Sequence, residues 1–175
     1  MKTTPVQDFY HSNDQGSGIL QRGTRAPDFT LKSEIDRAVT LSDFRGEAVV
    51  LVFYPADWSP VCGDQLALYN EHFAEFQKLD ATLFGISVDG PWSHAAYSRE
   101  HHLHFPLLSD SEPRGEVACH YGVLREIDGV SERALFVIDP EGIIFWSHLS
   151  PIGLNPGVTE LLLALQRLQD QTRKE

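Results

Sequence analysis

Apolar residues fall into runs along the chain whose spacing predicts alternating strands and helices. The run 48–54 is continuously apolar and rich in β-branched and aromatic residues, which is typical of a central strand buried on both faces. A second apolar run over 82–88 predicts another buried strand. Between these runs, apolar residues recur at helical spacing and predict a helix over 63–79.

The remaining segments complete an order of strand, helix, strand, helix, hairpin and final helix. In chain order, they predict a short hairpin of 29–31 and 38–41, helices over 92–102 and 112–120, strands over 133–138 and 143–148, and a last helix that starts at Asn155 and Pro156. One mixed β-sheet flanked by helices satisfies this order. The predicted fold class is therefore α/β, as a thioredoxin-like sandwich.

Length and charge narrow the possibilities further. A chain of 175 residues suits one domain, which we predict over 21–170, with a flexible polar extension over 1–20 and a tail over 171–175. The net charge of −11 argues against nucleic-acid binding, since phosphate contacts need Lys and Arg. No apolar run reaches the roughly 20 residues of a membrane span, and the first residues lack an apolar signal core. We expect a cytoplasmic protein that binds neither nucleic acid nor membrane.

The candidate chemistry centres on one of the two cysteines. Cys62 follows the predicted strand over 48–54 and stands at the start of the next helix. Functional sites of α/β folds lie at the carboxyl ends of strands, and a helix amino terminus favours a thiolate. A hydroxyl at Ser59 is within reach of the sulfur, and Pro55 and Pro60 restrict the loop. Taken alone, however, Cys62 is compatible with a plain structural role.

Nearby charges oppose a thiolate at this position. Asp57 and Asp64 are close to Cys62 in sequence and disfavour a second anion. A reactive Cys62 therefore needs a cation from elsewhere in the fold. Arg133 opens the apolar strand over 133–138 and is the best-placed arginine, with Arg125 in the preceding loop as the alternative.

The residues around Cys62 match a known signature. Pro55, Ser59 and Cys62 reproduce the peroxiredoxin pattern P-x-x-x-[T/S]-x-x-C. Further landmarks of that family follow the expected order: A-P-D-F at 26–29, L-S-D-F-R-G at 41–46, F-P-L-L-S-D at 105–110, Y-G-V at 121–123, and Arg133 before F-V-I-D at 136–139. The chain thus resembles the peroxiredoxins (the alkyl hydroperoxide reductase C and thiol-specific antioxidant family), and within them the one-cysteine alkyl hydroperoxide reductase E-like subgroup.

The resemblance implies a thiol-dependent peroxidase that reduces hydrogen peroxide and organic hydroperoxides. The Cys62 thiolate would attack the distal peroxide oxygen and become a sulfenic acid. Arg133, assisted by backbone N–H groups near Cys62, would stabilise the thiolate and the departing oxygen, with Ser59 and Pro55 completing the site. The resemblance implies no metal and no organic cofactor.

Some positions depart from the family pattern. Ser59 replaces the commoner threonine, and Trp58 stands where phenylalanine is usual. Gln65 stands where the family often has a glutamate that helps to hold the arginines, which leaves their arrangement open. No cysteine follows residue 119. Ala67 stands where another peroxiredoxin subgroup has its resolving cysteine, the thiol that forms a disulfide with the oxidised nucleophile.

The fate of the sulfenic acid has two interpretations. Cys119 would resolve it as a disulfide if the two Cα atoms approach within about 6 Å, or it is an ordinary helical cysteine. We favour a one-cysteine mechanism in which an external thiol (thioredoxin, glutaredoxin or a low-molecular-weight thiol) attacks an exposed sulfenic acid. A peroxide-sensing redox relay and a thioredoxin-like thiol–disulfide protein are the alternative functions, the latter disfavoured because Cys-x-x-Cys is absent.

Two other groups of residues have candidate roles. The family commonly forms dimers through loops near the active site, so we expect a homodimer with Trp58 or Trp92 as an aromatic anchor. The histidines at 101, 102 and 104 suggest a metal cluster, but they fit better as residues near a helix end, because adjacent helical positions point to different faces.

Overall fold

The computed structural model of the protein describes residues 18–174, so most of the predicted extension lies outside the described residues. Seven strands form one mixed sheet in the order β2-β1-β5-β4-β3-β6-β7. They are β1 (Thr30–Glu34), β2 (Arg37–Thr40), β3 (Ala48–Phe53), β4 (Ala81–Ser87), β5 (Leu107–Ser109), β6 (Arg133–Ile138) and β7 (Ile144–Ser150). The predicted central strand is confirmed, because β3 lies between parallel β4 and antiparallel β6.

Five α-helices accompany the sheet in the described range, residues 18–174. They are α1 (Pro60–Glu71), α2 (Phe73–Lys78), α3 (Pro91–Glu100), α4 (Glu116–His120) and α5 (Thr159–Thr172). The single helix predicted over 63–79 is therefore wrong: it starts earlier, because Pro60 occupies the first helical turn, and it is interrupted at His72. The last helix starts later than predicted, because the Asn155 side chain accepts the Gly157 N–H in a turn instead of capping a helix there.

The two faces of the sheet carry separate hydrophobic clusters. Alternate residues of β3 (Val50 and Val52) pack with α1, α5 and Cys62 on one face. The residues between them, such as Leu51, pack on the other face with Val117 and Ala118 of α4. The sheet therefore separates Cys62 from the helix that carries Cys119.

Among residues 18–174, no helix has the length and apolar character needed to cross a bilayer.

A glycine in β4 allows close packing beside the strand that leads to Cys62. A Cβ atom added at Gly85 would lie 2.6 Å from Cδ2 of Leu107 and 3.3 Å from Cε1 of Tyr54. Both neighbours are buried, so a larger side chain at position 85 has to displace well-packed groups.

We predict that Gly85→Ala lowers the free energy of unfolding by about 1–3 kcal/mol, the usual cost of overpacking a core. Gly153→Ala is the matched control, because a Cβ atom there meets nothing within 4 Å. Urea unfolding of both variants checks this. Equal stability of the two would contradict the packing described.

Candidate active site

Cys62 lies in the first turn of α1, directly after the loop that leaves β3. The helix amino terminus points unpaired backbone N–H groups towards this turn, which favours an anion on the sulfur. Only 1% of Cys62 is exposed, because the residue packs into the apolar cluster beneath α1. The reduced thiol of Cys62 is therefore buried, and the expectation that its sulfenic acid is exposed stays a prediction.

Arg133 is the cation at this sulfur. Its Nη2 donates to Cys62 Sγ at 3.5 Å and to the carbonyl oxygen of Ile152 at 2.8 Å, which its Nε also contacts at 3.0 Å. The alternative, Arg125, instead pairs with the carboxylates of Asp128 and Glu132. The structure thus places Arg133, and not Arg125, beside Cys62.

Gln65 fixes the far side of the guanidinium. Its Oε1 accepts from Arg133 Nη1 at 2.7 Å, and its Nε2 donates to the Tyr69 hydroxyl at 3.1 Å. The Tyr69 hydroxyl in turn donates to the carbonyl oxygen of Gly157 at 3.0 Å. The arrangement left open by the departure at position 65 is thus settled: the amide holds the arginine in a continuous, buried hydrogen-bond chain.

The carboxylate of Asp57 is occupied by a second buried network. Its oxygens accept from the Tyr54 hydroxyl at 2.7 Å, from Ser93 Oγ at 2.8 Å and from His94 Nδ1 at 2.8 Å. The other ring nitrogen of His94 faces the carbonyl oxygen of Leu108 at 3.1 Å, so a doubly protonated ring satisfies both contacts.

This network engages the Asp57 carboxylate, whose negative charge was expected to oppose a thiolate at Cys62. Burial alone would raise the pKa of Asp57, but the hydrogen bond and charge of His94, with those of Tyr54 and Ser93, outweigh it and hold the pKa below its ordinary value. Asp57 is therefore ionised, and His94 Nδ1 is one of its hydrogen-bond partners. The pair also ties the Cys62 loop to α3.

An aromatic group covers the loop beside Cys62. Trp58 has a φ of 63°, which is uncommon for a bulky side chain and persists here between the anchored Asp57 and the start of α1. Its ring meets that of Tyr97 edge to face at 5.0 Å. Burial, with the negative charges of Asp57, Cys62 and Asp64, raises the pKa of Tyr97 to about 12, so its hydroxyl stays protonated.

The two remaining predicted site residues lie in the same loop. Pro55 is buried directly after β3, and Ser59 is the N-cap residue of α1. The Ser59 carbonyl accepts the Gly63 N–H at 2.8 Å. Its hydroxyl makes no capping hydrogen bond, and no bond from it to Cys62 Sγ occurs in the described part of the chain.

Cys119 lies away from this site. It is exposed on α4, across the sheet from Cys62. Partial burial of its thiol, with the charges of Glu126, Asp110 and Glu116, raises its pKa and so reduces its thiolate fraction.

The clustered histidines have separate neighbours. His104 stacks on Phe73 and its Nδ1 donates to Asn70 Oδ1, whereas the ring of His101 packs at a tilt against that of Tyr97. Within residues 18–174, no group of three or more ligand-type side chains could hold a metal ion.

Sequence reasoning missed His94, Tyr97 and the carbonyl oxygen of Ile152. His94 is 37 positions from Asp57 in the chain, so no local pattern relates the two. A polar residue on the inner face of a predicted amphipathic helix is the one signal that could have indicated His94. A backbone acceptor such as Ile152 leaves no signal in the side-chain sequence at all.

Known proteins share both the sequence and this architecture. The AhpC/TSA family matches residues 22–147. Alkyl hydroperoxide reductase E of Mycobacterium bovis is 38% identical over 136 residues, covering 77% of this chain and 89% of that protein. Peroxiredoxin-2 of Mus musculus is 34% identical over 163 residues, covering 87% of this chain and 81% of that protein.

Solved structures agree with the sequence matches. The crystal structure of AhpC from Enterococcus faecalis has a TM-score of 0.80 at 29% identity, covering 87% of this chain and 95% of that one. The predicted thioredoxin-like fold is thereby confirmed. With the family matched over most of the domain and its fold shared, the chain belongs to the AhpC/TSA family, the peroxiredoxins, and is a thiol-dependent peroxidase.

Proposed function

We propose that Cys62 is the peroxidatic nucleophile of this enzyme and that it works by a one-cysteine mechanism. The observation that carries the proposal is the buried Cys62 Sγ at 3.5 Å from Arg133 Nη2, in the first turn of α1. A guanidinium and a helix amino terminus together favour the thiolate, which is the reactive form of the thiol. Hydrogen peroxide and organic hydroperoxides are the proposed substrates.

In the oxidative step, the thiolate attacks the distal oxygen of the peroxide. An S–O bond forms, the O–O bond breaks, and the peroxide is reduced to an alkoxide or hydroxide that takes up a proton and leaves as alcohol or water. Cys62 is left as a sulfenic acid. Arg133, already aimed at the sulfur, stabilises the charge that moves onto the departing oxygen.

Pro55 and Ser59 shape the space in which the peroxide reacts. Pro55 is buried in the loop between β3 and α1, and its fixed φ restricts the loop that leads to Cys62. The Ser59 hydroxyl has no capping bond to satisfy, so it is available to hydrogen-bond the peroxide at the amino end of α1.

In the reductive step, an external thiol attacks the sulfenic acid. The location of Cys119 across the sheet and its raised pKa both disfavour an internal disulfide. Because Cys62 is buried, a protein reductant needs the first turn of α1 to open locally before it can reach the sulfur. Thioredoxin, glutaredoxin and low-molecular-weight thiols are the candidate reductants, and the smallest of these needs the least opening.

The proposed location is the cytoplasm. The chain has only two cysteines, too few for a disulfide framework, which is usual in a reducing compartment.

The cysteine assignment predicts opposite outcomes for two matched variants. Cys62→Ser removes the nucleophile with little change in shape, so peroxide turnover with a thiol reductant should fall below a few per cent of wild type. Cys119→Ser should keep most turnover. A coupled peroxidase assay with excess peroxide measures both, and it also separates a catalyst from a sensor that reacts once. Substantial turnover by Cys62→Ser would refute the assignment.

The same experiment identifies the oxidised product. Mass spectrometry after one equivalent of peroxide should show a trapped sulfenic acid adduct at Cys62. A loss of two mass units without an adduct would instead reveal a Cys62–Cys119 disulfide and contradict the one-cysteine mechanism.

We also propose a homodimer formed near the active site. Trp58 is 56% exposed and Trp92 is 72% exposed, so each offers a large aromatic anchor on that side of the molecule. At micromolar concentration, sedimentation should give twice the chain mass of 19.7 kDa, and Trp58→Ala or Trp92→Ala should shift the protein towards monomer. A wild-type mass equal to a single chain would count against the dimer.

A further inference from the structure

The guanidinium of Arg133 is a buried cation with neutral partners. Only 1% of the residue is exposed. Its oxygen acceptors are the carbonyl oxygen of Ile152 and the amide Oε1 of Gln65. Across residues 18–174, no carboxylate lies within salt-bridge distance of it. The one contacting atom that can carry a negative charge is Cys62 Sγ.

The orientation of Gln65 follows from the hydrogen bonds around it. Arginine can only donate, so the amide oxygen must face Arg133 and the amide nitrogen must face Tyr69. The Tyr69 hydroxyl accepts from that nitrogen and donates to the Gly157 carbonyl oxygen. Gln65 thus gives Arg133 a hydrogen-bond acceptor without adding a negative charge.

The other ionisable groups near the sulfur are already occupied or neutral. Asp57 is paired with His94. Asp64 is exposed to solvent on α1, and Tyr97 on α3 stays protonated because its pKa is raised to about 12. A buried cation without a counter-ion is costly, so the charge of Arg133 must be balanced at Cys62.

We propose that Gln65 is a positioning residue whose neutral amide holds Arg133 while leaving the Cys62 thiolate as its counter-ion. This inference rests on the proposed function of Cys62 and adds to it the residue that sets the charge balance. A carboxylate at position 65 would share the guanidinium with the sulfur. The thiolate would then lose part of its stabilisation even though Arg133 stayed in place.

Gln65→Glu tests the charge directly, because glutamate keeps an acceptor for Arg133 Nη1 and adds one negative charge. The midpoint of the ultraviolet thiolate titration should rise by about one pH unit or more. At pH values below the midpoints of both wild type and variant, the rate of reaction with hydrogen peroxide should fall in proportion to the thiolate fraction. That is about tenfold for each pH unit by which the midpoint rises. At alkaline pH the rate should recover, whereas a misplaced Arg133 would keep it low at every pH.

The matched control is Gln77→Glu, which adds the same charge at an exposed position of α2. It should leave the midpoint and the rate unchanged. An unchanged midpoint in Gln65→Glu would overturn the inference. If Cys62→Ser kept its turnover, the proposed function would fail instead, so the two failures are distinguishable.

A second measurement does not depend on the folding of the glutamate variant. Cys62→Asp places a permanent anion beside Arg133, and Cys62→Asn is its neutral isostere. If the site lacks another counter-ion, the aspartate variant should have the higher Tm at neutral pH, although burying a charge is ordinarily unfavourable. An equal or lower Tm for the aspartate variant would overturn the inference.

Discussion

The contact between the Arg133 guanidinium and the Cys62 sulfur is the interaction on which the rest of the site depends. It joins β6, which places the arginine, to the first turn of α1, which places the cysteine. The carbonyl oxygen of Ile152 and the amide of Gln65 fix the guanidinium from two other sides. In the proposed reaction, a preformed cation would need no reorganisation when charge moves from the Cys62 thiolate to the peroxide oxygen.

A second ion pair keeps this contact undisturbed. Asp57 lies in the loop that precedes Cys62, and its negative charge would compete with the thiolate if it were unpaired. His94 of α3 hydrogen-bonds this carboxylate and anchors the loop, with Tyr54 and Ser93 as further donors. The Asp57–His94 pair holds the backbone around Cys62, whereas Arg133 contacts the Cys62 sulfur.

The sequence was most informative where a pattern is local. The apolar run over 48–54 predicted the central strand, and the transition from this strand to the next helix located Cys62 at the start of that helix. Arg133 followed from its position at the head of a strand. The pairing of Asp57 with His94, the burial of Cys62 and the contact of Gln65 with Arg133 depend on distant segments meeting, which a single sequence does not encode locally. The three-residue β5 escaped prediction because its strand pattern is too short.

The thiolate content of the reduced protein shows whether Arg133 stabilises an anion at Cys62. Ultraviolet absorbance at neutral pH would be measured for wild type and for Arg133→Met, each against Cys62→Ser to remove the contributions of tyrosines and Cys119. Wild type should give a thiolate signal that is lost in Arg133→Met, because methionine fills much of the volume without the charge. A full signal in Arg133→Met would contradict this role of Arg133.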